Sequence, residues 1–449
     1  MLERYFHLKQ NQTSPAREVM GGLTTFAAMA YILAVNPAIL KDTGMDHAAL
    51  VTATALAAAV GTALMGLMSN YPIAQAPGMG INVFFTYEIC LRMGVAWQGA
   101  LAMVFWNGVL FLILTMTGLR SQIIRAIPDA LKIGMQVGIG LMIVLVGLKN
   151  GGVVVSDETT LLRLGEISEG WMPNSATLTA LGLLLVVVLS IRKVPGAILI
   201  GIVVVTMVGL RVPVGGTGGE GDASLTQLPE LWVGLPASLA PLFLELDWSY
   251  PFTHWQVVWV PVLTLMFVDL FDSIGTLLGV ARRAGFLDEK GELPRMDKAL
   301  AADATATSLG ALLGTSPVTS YIESAAGVEA GARTGLASLV TAGCFLLALF
   351  FHPLILSVPA AATAPALIWV GMMMLSGLQS IEWSDLRRTV PAVITMIMIP
   401  FGFGISNGIA FGCISYCVVM ALTGEVRAVK KMMYGLAAIF ALKLILLGV

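Results

Sequence analysis

Charge is what this sequence has least of. Only 12% of its 449 residues are Asp, Glu, Lys or Arg, and 57% are hydrophobic. Soluble domains are typically about a quarter charged. A polytopic membrane protein follows, and a soluble enzyme does not fit. Cysteine is scarce as well: Cys90, Cys344, Cys413 and Cys417 all stand in apolar runs. Cys413 and Cys417 share a helical face but have no His or acid beside them, so they read as small membrane residues rather than metal ligands. No metal or cofactor is expected. The net charge of −2 adds no constraint, and no nucleic-acid partner is expected. A cleavable signal peptide is missing too. The opening MLERYFHLKQNQTSPARE is polar and is expected to lead straight into the first span.

Apolar runs near 20 residues fill the rest, which favours helices over a barrel. Segments are expected at 19–40, 48–68, 77–93, 97–118, 129–149, 176–191, 195–210, 255–282, 299–313, 317–331, 335–356, 361–378, 389–403 and 406–423, fourteen in all. A further stretch, 432–449, carries Lys443 and is expected in the interface or on the outside of the bundle. With the N-terminus inside, 19 Lys and Arg fall on the inner side. Five fall outside: Lys41, Arg92, Lys149, Arg163 and Arg211. This bias sets the orientation and puts both termini in the cytoplasm of an inner membrane. The long outer connections 150–175 and 211–254 read as solvated surface.

Residues 314–335, GTSPVTSYIESAAGVEAGARTG, break the pattern. Pro317 can start a helix but not sit inside one. Only 14 residues separate it from Gly331, and a full crossing needs roughly 20. The expectation is a half-helix entered from a short extended piece, which survives at membrane depth only beside protein or a cavity. Residues 74–88, AQAPGMGINVFFTYE, repeat the arrangement around Pro77. The two stretches are the third and tenth segments, seven apart, so the halves carrying them run in opposite directions. Interrupted segments at matching places in two halves point to a transporter's binding site.

Acids converge on the same region. In FVDLFDSIGTLLG, Asp269 and Asp272 are three apart and Asp272 and Thr276 four apart, so the spacing predicts one shared face. Asp303 lies among small residues, one turn from Thr307. Glu323 falls on the second half-helix. An intramembrane carboxylate is a functional candidate by default. Asp272, Asp303 and Glu323 are the candidates for coupling to a proton, because crowded carboxylates in a dry site compete for negative charge. The same site suits a flat polar ring. Glu323 accepts from ring N–H groups, backbone N–H groups at Gly80–Asn82 and at Thr319–Ser320 donate, and Phe84 and Phe85 stack on the face.

QAPGMGINVFF (75–85), FVDLFDSIGTLLGVA (267–281) and GTSPVTSYIESAAGVEAGARTG (314–335) resemble the signatures of the nucleobase–cation symporter-2 family. They most resemble its AzgA-like branch of adenine, guanine and hypoxanthine permeases. The resemblance covers nearly the whole chain. It implies an all-α fold of fourteen segments in two inverted repeats of seven, with short strands before half-helices in segments 3 and 10. It implies a core domain at 19–118 and 255–356 and a gate domain at 119–210 and 357–423. A cytoplasmic start (1–18), an outer loop (211–254) and a tail (424–449) complete the chain. The family's segment-8 acid matches Asp272. The next family position, a His in a bacterial uracil permease, is Thr276 here. The segment-9 acid matches Asp303 and the segment-10 acid Glu323. Segment 1 also contributes to the family site, which adds Thr25 and Phe26. The resemblance further implies purine import by proton symport, proton rather than sodium, through an elevator-like movement in a homodimer joined by the gate.

Two other readings stay open. The fold could carry xanthine, uracil or an inorganic anion, although three acids at the site argue against an anion. An intramembrane aspartyl hydrolase would need paired acids on separate helices; Asp269 and Asp272 share one, and GMGIN lacks the acid such a motif requires.

Overall fold

The computed structural model describes residues 2–117, 126–166, 168–169, 172–214, 223–289 and 292–446. Arg120, Arg125, Lys290 and the boundary expected at 118–119 lie outside the described residues, as do the last three positions.

Among the described residues, eight helical stretches are long and apolar enough to cross a bilayer, and Ser175–Ile191 and Ala197–Gly209 are shorter apolar helices. They pack in two groups. In one, His47–Ser69 lies against Met296–Leu313 and Gly335–Ala348, and Trp97–Met116 lies against Met296–Leu313. In the other, Asp129–Asn150 packs on Ala360–Met374 and Leu386–Phe401, and Leu386–Phe401 packs on Ile405–Leu422. Both groups use glycine where backbones meet. A Cβ built on Gly66 would lie 2.7 Å from Gly335 O, and one on Gly140 would lie 2.8 Å from Gly371 O. Such close approach is how helices associate where lipid removes the hydrophobic drive.

The tenth segment has the short strand before a helix that the resemblance implies, but the helix starts later than expected. Pro317 does not open a helix. Val318–Ser320 is a strand, antiparallel to Gln75–Pro77, with Gln75 opposite Ser320, Ala76 opposite Thr319 and Pro77 opposite Val318. The helix that follows is only Ser324–Glu329. Proline disfavours helix at the residue before it, and the β-branched Val318 and Thr319 suit a strand. The chain then turns at Gly331, whose φ of +111° L side chains rarely adopt. The third segment is closer to expectation: Gln75–Pro77, then helix Met79–Val83 running on into a wider-wound stretch, Phe84–Arg92.

A two-stranded sheet at membrane depth has open edges, and side chains close them. The Thr62 hydroxyl accepts from Gln75 N–H and donates to Gln75 O, both at 2.9 Å. Thr307 Oγ1 donates to Val318 O at 2.8 Å, and Ala74 N–H donates to Ser324 Oγ at 2.9 Å. These bonds replace the water that the bilayer excludes.

The outer connection is not plain solvated surface. Its described part straps across the first group of helices. Ala237 O accepts from Thr52 Oγ1 (3.0 Å), Leu244 N–H donates to Leu312 O (2.9 Å) and Asp247 N–H to Gln98 O (3.1 Å). Outward it shows Trp232, Trp248 and Phe252, side chains suited to the headgroup boundary. Reading only its acids and glycines hid those aromatics.

The C-terminal helix Lys431–Leu446 runs antiparallel to Ile405–Leu422. Cys417 Sγ approaches Met433 O at 3.8 Å, and Lys443 Nζ reaches Asn407 Oδ1 and, at 3.2 Å, Ser406 Oγ. In the orientation set by the Lys/Arg bias, this carries Lys443 to the outer end of the gate helices. The expected cytoplasmic position therefore suits the turn at 427–431 and not Lys443.

Replacing Gly335 by Leu should cost the fold at least the ~1–3 kcal/mol typical of overpacking. Melting of the detergent-purified protein reads this directly. An unchanged midpoint would show that the Gly66–Gly335 contact is dispensable.

Candidate functional site

Alternation along the second strand sorts the polar side chains. Successive residues point to opposite faces, and residues opposite each other across the pair share a face. Ser320 and its partner Gln75 turn to one side. There Asp303 Oδ1 accepts from Gln75 Nε2 at 2.7 Å and from Ser320 Oγ at 3.0 Å, while Asp303 Oδ2 accepts from Ser273 Oγ at 2.6 Å. Asp303 is fully buried. It braces both strands and the helix Trp255–Ala284 at one point. Thr319 turns to the other side, where its hydroxyl lies 3.5 Å from Asp272 Oδ2.

Asp272 and Glu323 are both half-buried, unlike Asp303. Both belong to the surroundings of the second strand: Asp272 lies by Thr319, and Glu323 follows the strand end Ser320 by three residues. Glu323 sits just before the helix Ser324–Glu329, and its Oε1 accepts a 2.6 Å hydrogen bond from the phenol of Tyr31. Neither carboxylate has an ion-pair partner among the described residues. Thr276 is buried one turn beyond Asp272. The predicted shared face of Asp269 and Asp272 divides. Asp269 turns away, with Oδ2 at 3.5 Å from both Asn107 Nδ2 and Thr307 Oγ1.

Other expected site residues take supporting positions. Asn82 is fully buried and donates to Asn36 Oδ1 at 3.0 Å; Asn36 in turn donates to Thr54 Oγ1 (2.8 Å) and Thr315 Oγ1 (3.0 Å). That hub ties the first half-helix to the lead-in of the second. The Asn82 N–H is already committed to Gly78 O at 2.9 Å, so the open N–H groups of this helix begin earlier than expected, at Met79–Ile81. Gly80 lies against Asp129–Asn150, where a Cβ would come within 2.6 Å of Ile139 Cγ2. The backbone of Thr319 and Ser320 belongs to the strand pair rather than to a helix start, so the site-facing group of Thr319 is its hydroxyl. Thr25 is buried against Gly327, on the short helix behind Glu323. Phe26 meets Phe345 edge-on at 5.1 Å. Phe84 and Phe85 are fully buried in the apolar core, with no free ring face in this structure.

Sequence reasoning missed Tyr31, Gln75, Asn36 and Ser273. Gln75 had a signal, since it is a polar residue in an apolar run, two positions before the first strand's proline. Tyr31 had a weaker one, a phenol inside an apolar run. Among the described residues no group of three or more His, Cys, Asp or Glu side chains is placed to hold a metal ion.

The model of the Permease family matches residues 16–411. The chain belongs to that family. It is the nucleobase–cation symporter-2 group that the motifs resemble, and its members are transporters, not enzymes. A putative permease of Methanocaldococcus jannaschii is 45% identical over 100% of this chain and 99% of its own. An adenine permease of Escherichia coli is 41% identical over 99% of this chain and 96% of its own. A guanine/hypoxanthine permease of Bacillus subtilis is 42% identical over 99% of this chain and 100% of its own. Among solved structures, the transmembrane domain of a cyanobacterium bicarbonate transporter covers 88% of this chain and 97% of that domain, with a TM-score of 0.65 at 16% identity. The anion transporter SLC26A9 has a TM-score of 0.63 at 13% identity, over 94% of this chain and 66% of that one. At such identities the likeness establishes the family's fold alone.

If Asp303 braces the crossing, Asp303→Ala should strand three buried donors and destabilise the protein by ~1–3 kcal/mol for each one left unpaired. Asp303→Asn should lose less, because its amide oxygen still accepts. Equal melting of both variants and the parent would remove the brace.

Proposed function

We propose that this permease imports purine nucleobases with protons, by movement of the first helix group, the core, against the second, the gate. The observation that carries the reading is the pair Asp272 and Glu323, both half-buried, the first 3.5 Å from the Thr319 hydroxyl and the second held by Tyr31. A purine edge presents N–H donors, which two carboxylates and a hydroxyl can receive. An inorganic anion would meet two carboxylates and no basic side chain, which disfavours the activity in the names of the structural neighbours. The adenine and guanine/hypoxanthine permeases among the relatives support a purine over a pyrimidine.

Two nearby carboxylates without a cation are costly in a dry site. A proton on one of them supplies the missing positive charge and binds together with the base. Tyr31 holds one oxygen of Glu323 and leaves the other for a ring N–H. Asp303 fixes the strand that carries Thr319. The two packing groups support rigid-body movement, because each has its own backbone-close glycine contacts. The exposed apolar faces of Ser175–Ile191 and Ala197–Gly209, with Leu184, Val188, Val203 and Met207, suit lipid or the gate of a second copy. An inner-membrane location with a cytoplasmic N-terminus follows from the Lys/Arg bias.

Glu323→Gln and Asp272→Asn should each abolish uptake of labelled adenine, guanine and hypoxanthine at normal membrane levels. Tyr31→Phe should weaken apparent affinity about ten- to hundredfold, the worth of one hydrogen bond to a charged group. Competition by adenine, guanine, hypoxanthine, xanthine and uracil at several pH values tests cargo and coupling together. Uptake unaffected by collapse of the pH gradient would end the proton reading, and uracil as the best competitor would end the purine one.

A further inference from the structure

The outer ends of the two helix groups are fastened by side chains that the substrate site does not use. We propose that Glu88 and Arg92 are the outer gate of the transport cycle: bonded to the turn at 402–407 they close the outer path to the site, and they must let go for it to open outward. The proposal rests on the movement of core against gate given above.

Glu88 belongs to the first half-helix, on the core, and is buried. Its Oε2 accepts from Ile405 N–H at 2.6 Å and from Ser406 N–H at 3.5 Å, and its Oε1 accepts from the Ser406 hydroxyl. The gate helix Ile405–Leu422 is thus capped by a carboxylate more than 300 residues away in sequence. Its own N-cap residue, Gly404, has no side chain to do so. A negative charge at that position also matches the positive end of the helix. Arg92 completes the contact from the same half-helix. Its Nη1 donates to Gly402 O at 3.3 Å and to Phe403 O at 3.4 Å. Phe403 has φ +42°, a left-handed conformation unusual for a non-glycine residue. Gly404 lies against the Arg92 guanidinium, where a Cβ would come 2.7 Å from Nη1 and oblige the side chain to shift. Tyr87 adds an edge-on ring contact to Phe403 at 6.1 Å, while its hydroxyl donates to Asp42 Oδ2 at 3.0 Å. Lys443 meets the same turn from the other side through Ser406 and Asn407.

A bond between two bodies that slide past each other cannot last through the cycle. Elsewhere the groups also meet, at the Lys132 ammonium, 6.0 Å from the Phe271 ring, and where Gly196 comes close to the backbone of Ala27, but neither contact sets a buried carboxylate on two N–H groups. On this proposal the conformation described is the one closed outside. Glu88 and Arg92 therefore set how readily the site faces out.

A pair of measurements tests this in a background with Cys90, Cys344, Cys413 and Cys417 replaced by Ala. In the first, Tyr87→Cys and Phe403→Cys are joined by oxidation or by a short bis-thiol reagent. Uptake of labelled adenine or hypoxanthine should stop on joining and return on release. Failure of the unjoined protein to take up any base would count against the cargo reading instead, so the two failures are separable. Joined protein that transports as well as unjoined protein overturns the gate. In the second, Glu88→Ala is compared with Glu88→Gln in right-side-out and inside-out vesicles. Loss of the cap should favour the outward-facing state, so the apparent KM should fall about tenfold at the outer face and rise at the inner face. Gln, which still accepts, should restore most of the difference. Equal shifts at both faces, or none, would show a merely structural cap and overturn the proposal.

Discussion

Six residues paired across the middle of the chain, Gln75–Pro77 with Val318–Ser320, set the terms for the rest. Extended backbone at membrane depth has no water to fall back on. The pair satisfies its inner edges with each other, and Thr62, Thr307 and Ser324 satisfy the outer ones. Thr62 and Thr307 perform the same service in opposite halves. The inverted repeat is thus visible as a matched solution to one hydrogen-bonding problem, even where side chains have diverged. Prolines fit here because each sits at or next to a strand end, where a missing N–H is least costly.

Chemistry follows from that crossing by strand geometry. One face gathers Gln75, Ser320 and Ser273 on Asp303, and both oxygens of that carboxylate are bonded. The other face leaves Thr319 beside Asp272, which has no ion-pair partner among the described residues. One acid beside the strand is therefore bonded on both oxygens, and two others are left half-buried without an ion-pair partner among the described residues. The Asn36 hub holds the backbone on both sides in register. Tyr31 then fixes the rotamer of Glu323 from a break in the first segment, between Pro15–Met29 and Ile32–Leu40.

Much of this was legible in the sequence, and the reasons are physical. Proline inside an apolar run, glycine at a fixed distance and acids where lipid should be are each costly enough to stand out. They located both interrupted segments and Asp272, Asp303 and Glu323. Side-chain direction was not legible. Asp269 and Asp272 are near neighbours on a helical wheel, yet they face different partners, because Trp97–Met116 and the strand pair approach that helix from different sides. The extent of the second half-helix was also hidden: a six-residue helix after a three-residue strand has the same length as one half-helix. Residues such as Asn36, Tyr31 and Thr62 carry no charge and look like ordinary members of membrane helices. Only the contact shows what each one satisfies.

The same distinction separates Glu88 from Asp303. Both are buried, but Asp303 bonds within one packing group, whereas Glu88 bonds across to the other. A carboxylate that caps its own body stabilises every conformation equally and shifts no equilibrium. One that caps the opposite body stabilises a single relative position, by the full difference between being bonded and not. Glu88 also keeps that difference within reach of thermal motion. The helix end it leaves behind can take water where it meets the membrane boundary. A closure built from apolar packing would have no such exchange, and one built at the level of Asp303 would have no water to exchange with. The outer rim is the depth at which a polar clasp is both strong when shut and affordable when open.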